Sequence, residues 1–95
     1  MSKAVDFEVH GRVQGVWFRA HTVDKAKALG VVGFVMNTPQ GTVKGEAQGE
    51  EAAVDQMKEW LATTGSPHSK IERCEFSNER ALAALEYRDF STRRR

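Results

Sequence analysis

An alternating apolar run near the start of the chain, two later stretches with helical period, and a turn flanked by two short extended segments predict an α+β fold. The order is β-α-β-β-α-β, which implies one antiparallel sheet with two helices on one face.

Val5, Phe7 and Val9 alternate with Asp6, Glu8 and His10, the pattern of a half-buried strand. Gly11 and Gly15 interrupt it and mark a tight loop. From Phe18 the period changes: Phe18, Thr22, Ala26 and Leu29 fall on one face of a helix, and Gly30 supplies the left-handed residue that ends it. Val31 to Asn37, β-branched at its start, reads as a second strand. Thr38-Pro39-Gln40-Gly41 has the composition of a turn. Thr42 to Gln48 alternates again, with Val43 and Ala47 opposite Lys44 and Glu46 and with Gly45 between them, so strands two and three form a hairpin. A second helix runs from about Glu50 to Thr63 on the stripe Val54, Met57 and Leu61, with Ala53 and Trp60 beside it, and Gly65-Ser66-Pro67 closes it. Ile71, Cys74 and Phe76 suggest a fourth strand with an irregularity near Glu72-Arg73. Glu79 to Glu86, rich in Ala and Leu, has strong helix propensity and reads as a helical turn or as a connection. Tyr87 to Thr92 is a last short strand around Phe90. This is the split βαβ pattern, a ferredoxin-like α/β sandwich, an architecture that hosts enzymes, RNA binders, metal carriers and sensors alike.

The 95 residues, 40% of them apolar, suit one domain over residues 1–95. A monomer is expected. No apolar run reaches about 18 residues, so no membrane partner is expected. The single cysteine, Cys74, rules out an intrachain disulfide framework. Met1-Ser2-Lys3-Ala4-Val5-Asp6 has no apolar signal-peptide core, and a cytoplasmic location is expected. Net charge is +1, but Arg93-Arg94-Arg95 supply three of the 14 basic residues; the rest of the chain has 11 basic against 13 acidic residues. That balance does not support a broad nucleic-acid footprint. Gly33-Phe34-Val35-Met36 also lacks the basic-Gly-aromatic pattern of an RNA-recognition sheet. The arginine triplet is expected to be a solvated, frayed end.

Two stretches carry chemistry. Gly11-Arg12-Val13-Gln14-Gly15-Val16-Trp17-Phe18-Arg19 joins the first strand to the first helix. A glycine-bent loop there can aim successive N–H groups into one concavity, and the helix terminus adds further donors and partial positive charge. Arg19 brings a planar fork that grips two oxygens of a phosphate. A cation at that helix end is locally unfavourable, which a bound anion would relieve. The loop fits neither common phosphate motif, and a plain turn with an exposed arginine also satisfies the residues. In the second stretch Asn37 stands where the second strand meets the turn. It is able to hold a water and a ligand oxygen together, or simply to cap the turn.

Together the two stretches resemble the acylphosphatase family. Its first signature, apolar-x-G-x-V-Q-G-V-x-F-R, is matched at every fixed position from Val9 to Arg19. Its second, G-aromatic-x-x-N-x-x-x-G-x-V-x-x-x-x-x-G, is matched by Gly33, Phe34, Asn37, Gly41, Val43 and Gly49. Glu59-Trp60-Leu61 and Gly65-Ser66-Pro67 look like the animal common-type members. The resemblance implies hydrolysis of small acyl phosphates to a carboxylate and inorganic phosphate, without metal or other cofactor. It implies that Arg19 binds the phosphoryl group with the backbone amides of Gly15, Val16, Trp17 and Phe18, and that Asn37 positions the attacking water. Thr42 is expected to support Asn37 by a hydrogen bond, and Trp17 either to shield the site or touch the acyl group, or to pack. His10, His21 and His68 lack metal-ligand spacing and no carboxylate cluster accompanies them. His21 is expected to point away from Arg19, and Cys74 to be a small core residue.

Overall fold

The computed structural model describes residues 1–94. The elements are β1 (Ser2–Arg12), α1 (Phe18–Leu29), β2 (Val32–Asn37), β3 (Val43–Glu50), α2 (Glu51–Thr63), β4 (Lys70–Leu82) and β5 (Phe90–Thr92). The sheet order is β4-β1-β3-β2-β5. The first four strands pair antiparallel, as the sequence predicts, and β5 adds a short parallel edge to β2, so the sheet is mixed.

Register sorts the residues into two faces. Val5, Phe7 and Val9 lie opposite Ala47, Gly45 and Val43 on β3, which in turn lie opposite Gly33, Val35 and Asn37 on β2. These residues face the helices. Phe18, Thr22 and Ala26 of α1 and Val54, Met57 and Leu61 of α2 are buried above them. The α1 stripe ends at Gly30, whose φ of 74° is left-handed. Asn37 therefore ends β2 on the face that α1 covers.

The other face carries Phe34, Glu46 and Gln48, and residues 83–89 cross it. Gln48 is fully buried: its Nε2 donates to Glu46 and Glu86, and its Oε1 accepts from the Glu86 N–H. Tyr87 packs on Phe34 and its hydroxyl donates to Glu46. Burial, reinforced by the Glu46 charge, raises the Tyr87 pKa above its usual value. The helical turn weighed for residues 79–86 does not form. Glu79–Leu82 instead extend β4 along Ser2–Ala4, where ladder bonds outweigh propensity.

The irregularity expected near Glu72-Arg73 is a bulge, since His10 pairs Arg73 but Gly11 pairs Ile71. A second bulge follows at Asn78, which takes a φ of 53°; the sequence reading did not foresee it.

Gly33 has a φ of 140°, and a Cβ there would overlap the carbonyl oxygen of Glu46 across the hairpin. Gly33→Ala is therefore expected to cost at least about 3 kcal/mol through forced backbone displacement. A urea midpoint within error of the parent would contradict this reading of the β2–β3 contact.

Candidate active site

The turn from β1 into α1 alternates backbone handedness. Gly15 has φ 74° and Trp17 has φ 62°, while Gln14, Val16 and Phe18 do not have positive φ. Left-handed conformation in a bulky residue costs roughly 1–2 kcal/mol. Two contacts hold the turn in place. Ser66 Oγ donates to Val16 O at 2.8 Å, and the His21 N–H donates to Trp17 O at 3.1 Å, with His21 Nδ1 also 3.0 Å from that oxygen. A trans peptide is planar with its N–H opposite its C=O, so fixing these two carbonyls turns the N–H groups of Trp17 and Phe18 the other way. Among the described residues no hydrogen bond uses the N–H of Gly15, Val16, Trp17, Phe18 or Arg19. Helix α1 also has no side-chain N-cap and no acidic residue in its first turn.

Phe18 is buried and stacks obliquely on Trp60 of α2, with ring centroids 5.8 Å apart. This anchors the first residue of α1 to the core. Gln14 joins the loop to the turn after β2: its Nε2 donates to Thr38 O and Thr42 O, both at 2.9 Å. The same side chain therefore fixes the loop relative to the strand that ends in Asn37.

A cavity of about 360 Å³ lies between these segments, lined by Gly15, Trp17, Phe18, Arg19, Asn37 and Thr92, among others. Arg19 is half-buried there. Asn37 Oδ1 is buried and lacks a hydrogen-bond partner among the described residues. A second depression of about 280 Å³ adjoins the first through Arg19 and Asn37 and adds Arg93 and Arg94. No carboxylate lines either space, and none of these three arginines has a salt bridge among the described residues. Such a set of guanidinium groups, free N–H donors and an amide suits a small tetrahedral oxyanion.

The sequence reading named Arg19, Asn37, Gly15, Val16, Trp17 and Phe18, and all of them meet at this corner. Val16 packs its side chain against the core and presents only its backbone at the turn. Trp17 stands on the rim 74% exposed, so the packing alternative for it is not realised. Three expectations need correction. Thr42 does not bond Asn37; its Oγ1 donates to Glu8 at 2.6 Å and lies 2.6 Å from Thr38 Oγ1, which braces the turn instead. Arg93 is not frayed: its N–H donates to Val35 O at 2.8 Å and its guanidinium lies 3.7 Å over the Phe34 ring. Arg95 lies outside the described residues. Finally, His10 does meet carboxylates. Its Nε2 is 2.8 Å from Glu75 Oε1, and Glu8 completes a cluster on the sheet face away from Arg19. His21 is exposed and serves the Trp17 carbonyl. Cys74 is partly buried against the core, and burial together with the nearby Glu75 charge pushes its thiol up to about 12. It is a poor nucleophile at neutral pH. The roles of Gln14, Ser66 and His21 as braces were not foreseen, because each acts through a backbone oxygen remote in sequence or one turn away.

The two helices and the five-stranded sheet define a ferredoxin-like α+β sandwich with a cavity at its β1–α1 turn. Residues 5–92 match the family model described as Acylphosphatase. The chain is 56% identical over 91 residues to human (Homo sapiens) acylphosphatase-2, covering 96% of this chain and 92% of that one, and equally so to chicken (Gallus gallus) acylphosphatase-1. Among solved structures, the acylphosphatase of Bacillus subtilis superposes with a TM-score of 0.85 at 33% identity, over 95% of this chain and 97% of its own. The chain belongs to the acylphosphatase family.

Gln14→Ala removes both bonds between loop and turn. It is expected to cost about 1–3 kcal/mol and to raise the backbone exchange rate of residues 14–18 more than that of the α2 core. Uniform acceleration across both regions would show that Gln14 does not specifically brace the loop.

Proposed function

We propose that this protein is an acylphosphatase, hydrolysing acyl phosphates to a carboxylate and inorganic phosphate by in-line attack of water. The phosphoryl oxygens lie against the N–H groups of Gly15, Val16, Trp17 and Phe18. Arg19 spans two of those oxygens with its fork. Asn37 orients the attacking water. As the water oxygen bonds to phosphorus, the bond from phosphorus to the acyl oxygen breaks and its electron pair leaves with the carboxylate. A water proton passes to a phosphoryl oxygen.

The leaving group explains why so few groups suffice. A carboxylate has a conjugate acid of pKa about 4, by analogy with Asp and Glu, and departs without a general acid. Phosphoryl transfer depends mainly on positioning and charge stabilisation. Preorganised donors at the turn supply both, so the reaction does not require a metal or a covalent nucleophile.

The observation that carries this reading is Asn37 Oδ1, a buried acceptor without a partner among the described residues, beside an arginine without a counter-charge among them. An unsatisfied buried acceptor costs about 1–3 kcal/mol, and a water lodged against the phosphoryl group relieves it. The family membership independently favours the same chemistry. We further read the chain as one domain acting as a monomer in the cytoplasm. The free thiol of Cys74 fits a reducing compartment, and no helix is long and apolar enough to cross a membrane.

Benzoyl phosphate hydrolysis, followed with and without chelator, tests the activity. Turnover indifferent to chelator is expected. Phosphate binding without turnover would favour a non-catalytic anion-binding module of the same fold. For the roles, Asn37→Ala is expected to lower kcat by about 10²–10³ while leaving inhibition by inorganic phosphate near the parent value. Arg19→Lys is expected to weaken phosphate inhibition as well as turnover, since a point charge does not replace the fork. Loss of phosphate affinity in Asn37→Ala with turnover retained would reverse these assignments.

A further inference from the structure

One arginine is enough to grip a phosphoryl group, yet the segment after β5 brings a second, Arg94, beside this site. Thr92 lines the main cavity, and Arg94, two residues further on, lines the adjoining depression with Arg19 and Asn37. Alternate residues of an extended chain share a side. Arg93 points the other way, with its guanidinium over the Phe34 ring, while its N–H holds the segment to Val35 O. Arg93 thus moors the backbone, and Arg94 is delivered to the lip of the site. The two spaces share Arg19 and Asn37, so Arg94 stands beside the residues that line the β1–α1 turn. No carboxylate among the described residues lines the depression to occupy that cation.

We propose that Arg94 is a specificity-determining residue, and that it favours acyl phosphates whose acyl group carries a second negative charge, a carboxylate or a phosphate. The inference rests on the acylphosphatase reading. The phosphoryl group engages the loop amides and Arg19, and the distal anion pairs with the Arg94 guanidinium across the depression. Uncharged acyl groups bind without this contact. Arg94 is exposed, so the pairing is screened and its contribution is modest and salt-sensitive.

The test compares benzoyl phosphate with para-carboxybenzoyl phosphate, which share a reacting centre and differ by one remote charge. The quantity read is the ratio of their kcat/KM values in the parent, in Arg94→Gln and in Arg94→Glu. The ratio is expected to fall roughly fivefold in Arg94→Gln and further in Arg94→Glu. Half-molar salt should erase most of the difference. An unchanged ratio, or an equal loss for both substrates, overturns the proposal. Failure of the parent to hydrolyse benzoyl phosphate would instead defeat the acylphosphatase reading itself, so the two failures are distinguishable.

Discussion

The carbonyl oxygens of Val16 and Trp17 are both taken, one by the Ser66 hydroxyl and the other by the backbone N–H and the ring of His21. Because the peptide unit is rigid and planar, those bonds also fix where the following N–H groups face. The proposed anion site at the turn follows from that constraint. The left-handed turns at Gly15 and Trp17 set the curvature, Phe18 pins the helix start to Trp60, and Gln14 ties the loop to the strand that presents Asn37. Donors on a rigid turn need little reorganisation when charge moves during reaction, and that is where preorganised electrostatics gains most over water.

The same arrangement destabilises the free protein. A bulky left-handed residue, a cation in the first turn of a helix, an unpartnered amide oxygen and clustered arginines are each unfavourable alone. They sit at one corner of a sandwich whose core is otherwise ordinary: branched aliphatic residues from three central strands under two apolar helical stripes. Strain confined to one corner and relieved by a ligand is the pattern expected of a binding site rather than of a folding defect.

How much of this was legible in the sequence depends on whether the cause is local. The β1 alternation, the Phe18-Thr22-Ala26 stripe, Gly30 and the hairpin all follow from period and turn chemistry, and each appears where the sequence puts it. Arg19 and Asn37 were legible because two signatures fix them relative to glycines that the backbone needs. Ser66 reaches Val16 across 50 residues and His10 meets Glu75 across 65; such pairs exist only after the sheet forms. The docking of Arg93 was hidden for a related reason. Its partners, Phe34 and Val35, lie on a strand whose edge becomes available only when β5 pairs parallel to it.

That residues 79–86 form strand and connection rather than a helical turn has a geometric cause. Strands β4 and β5 occupy opposite edges of a five-stranded sheet, four strand spacings apart. At about 4.8 Å per spacing the chain must travel roughly 19 Å sideways between Leu82 and Phe90. Extended chain covers about 26 Å over that separation, whereas a helix of the same residues advances only about 12 Å. The crossing therefore has to be extended, whatever Ala and Leu prefer in isolation. It also has to run over the face that the helices leave open, which is where Gln48 accepts the Glu86 N–H and Phe34 receives Tyr87. The crossing ends at β5 beside β2, so the constraint that removes a helix also carries Thr92 and the two following arginines to Asn37.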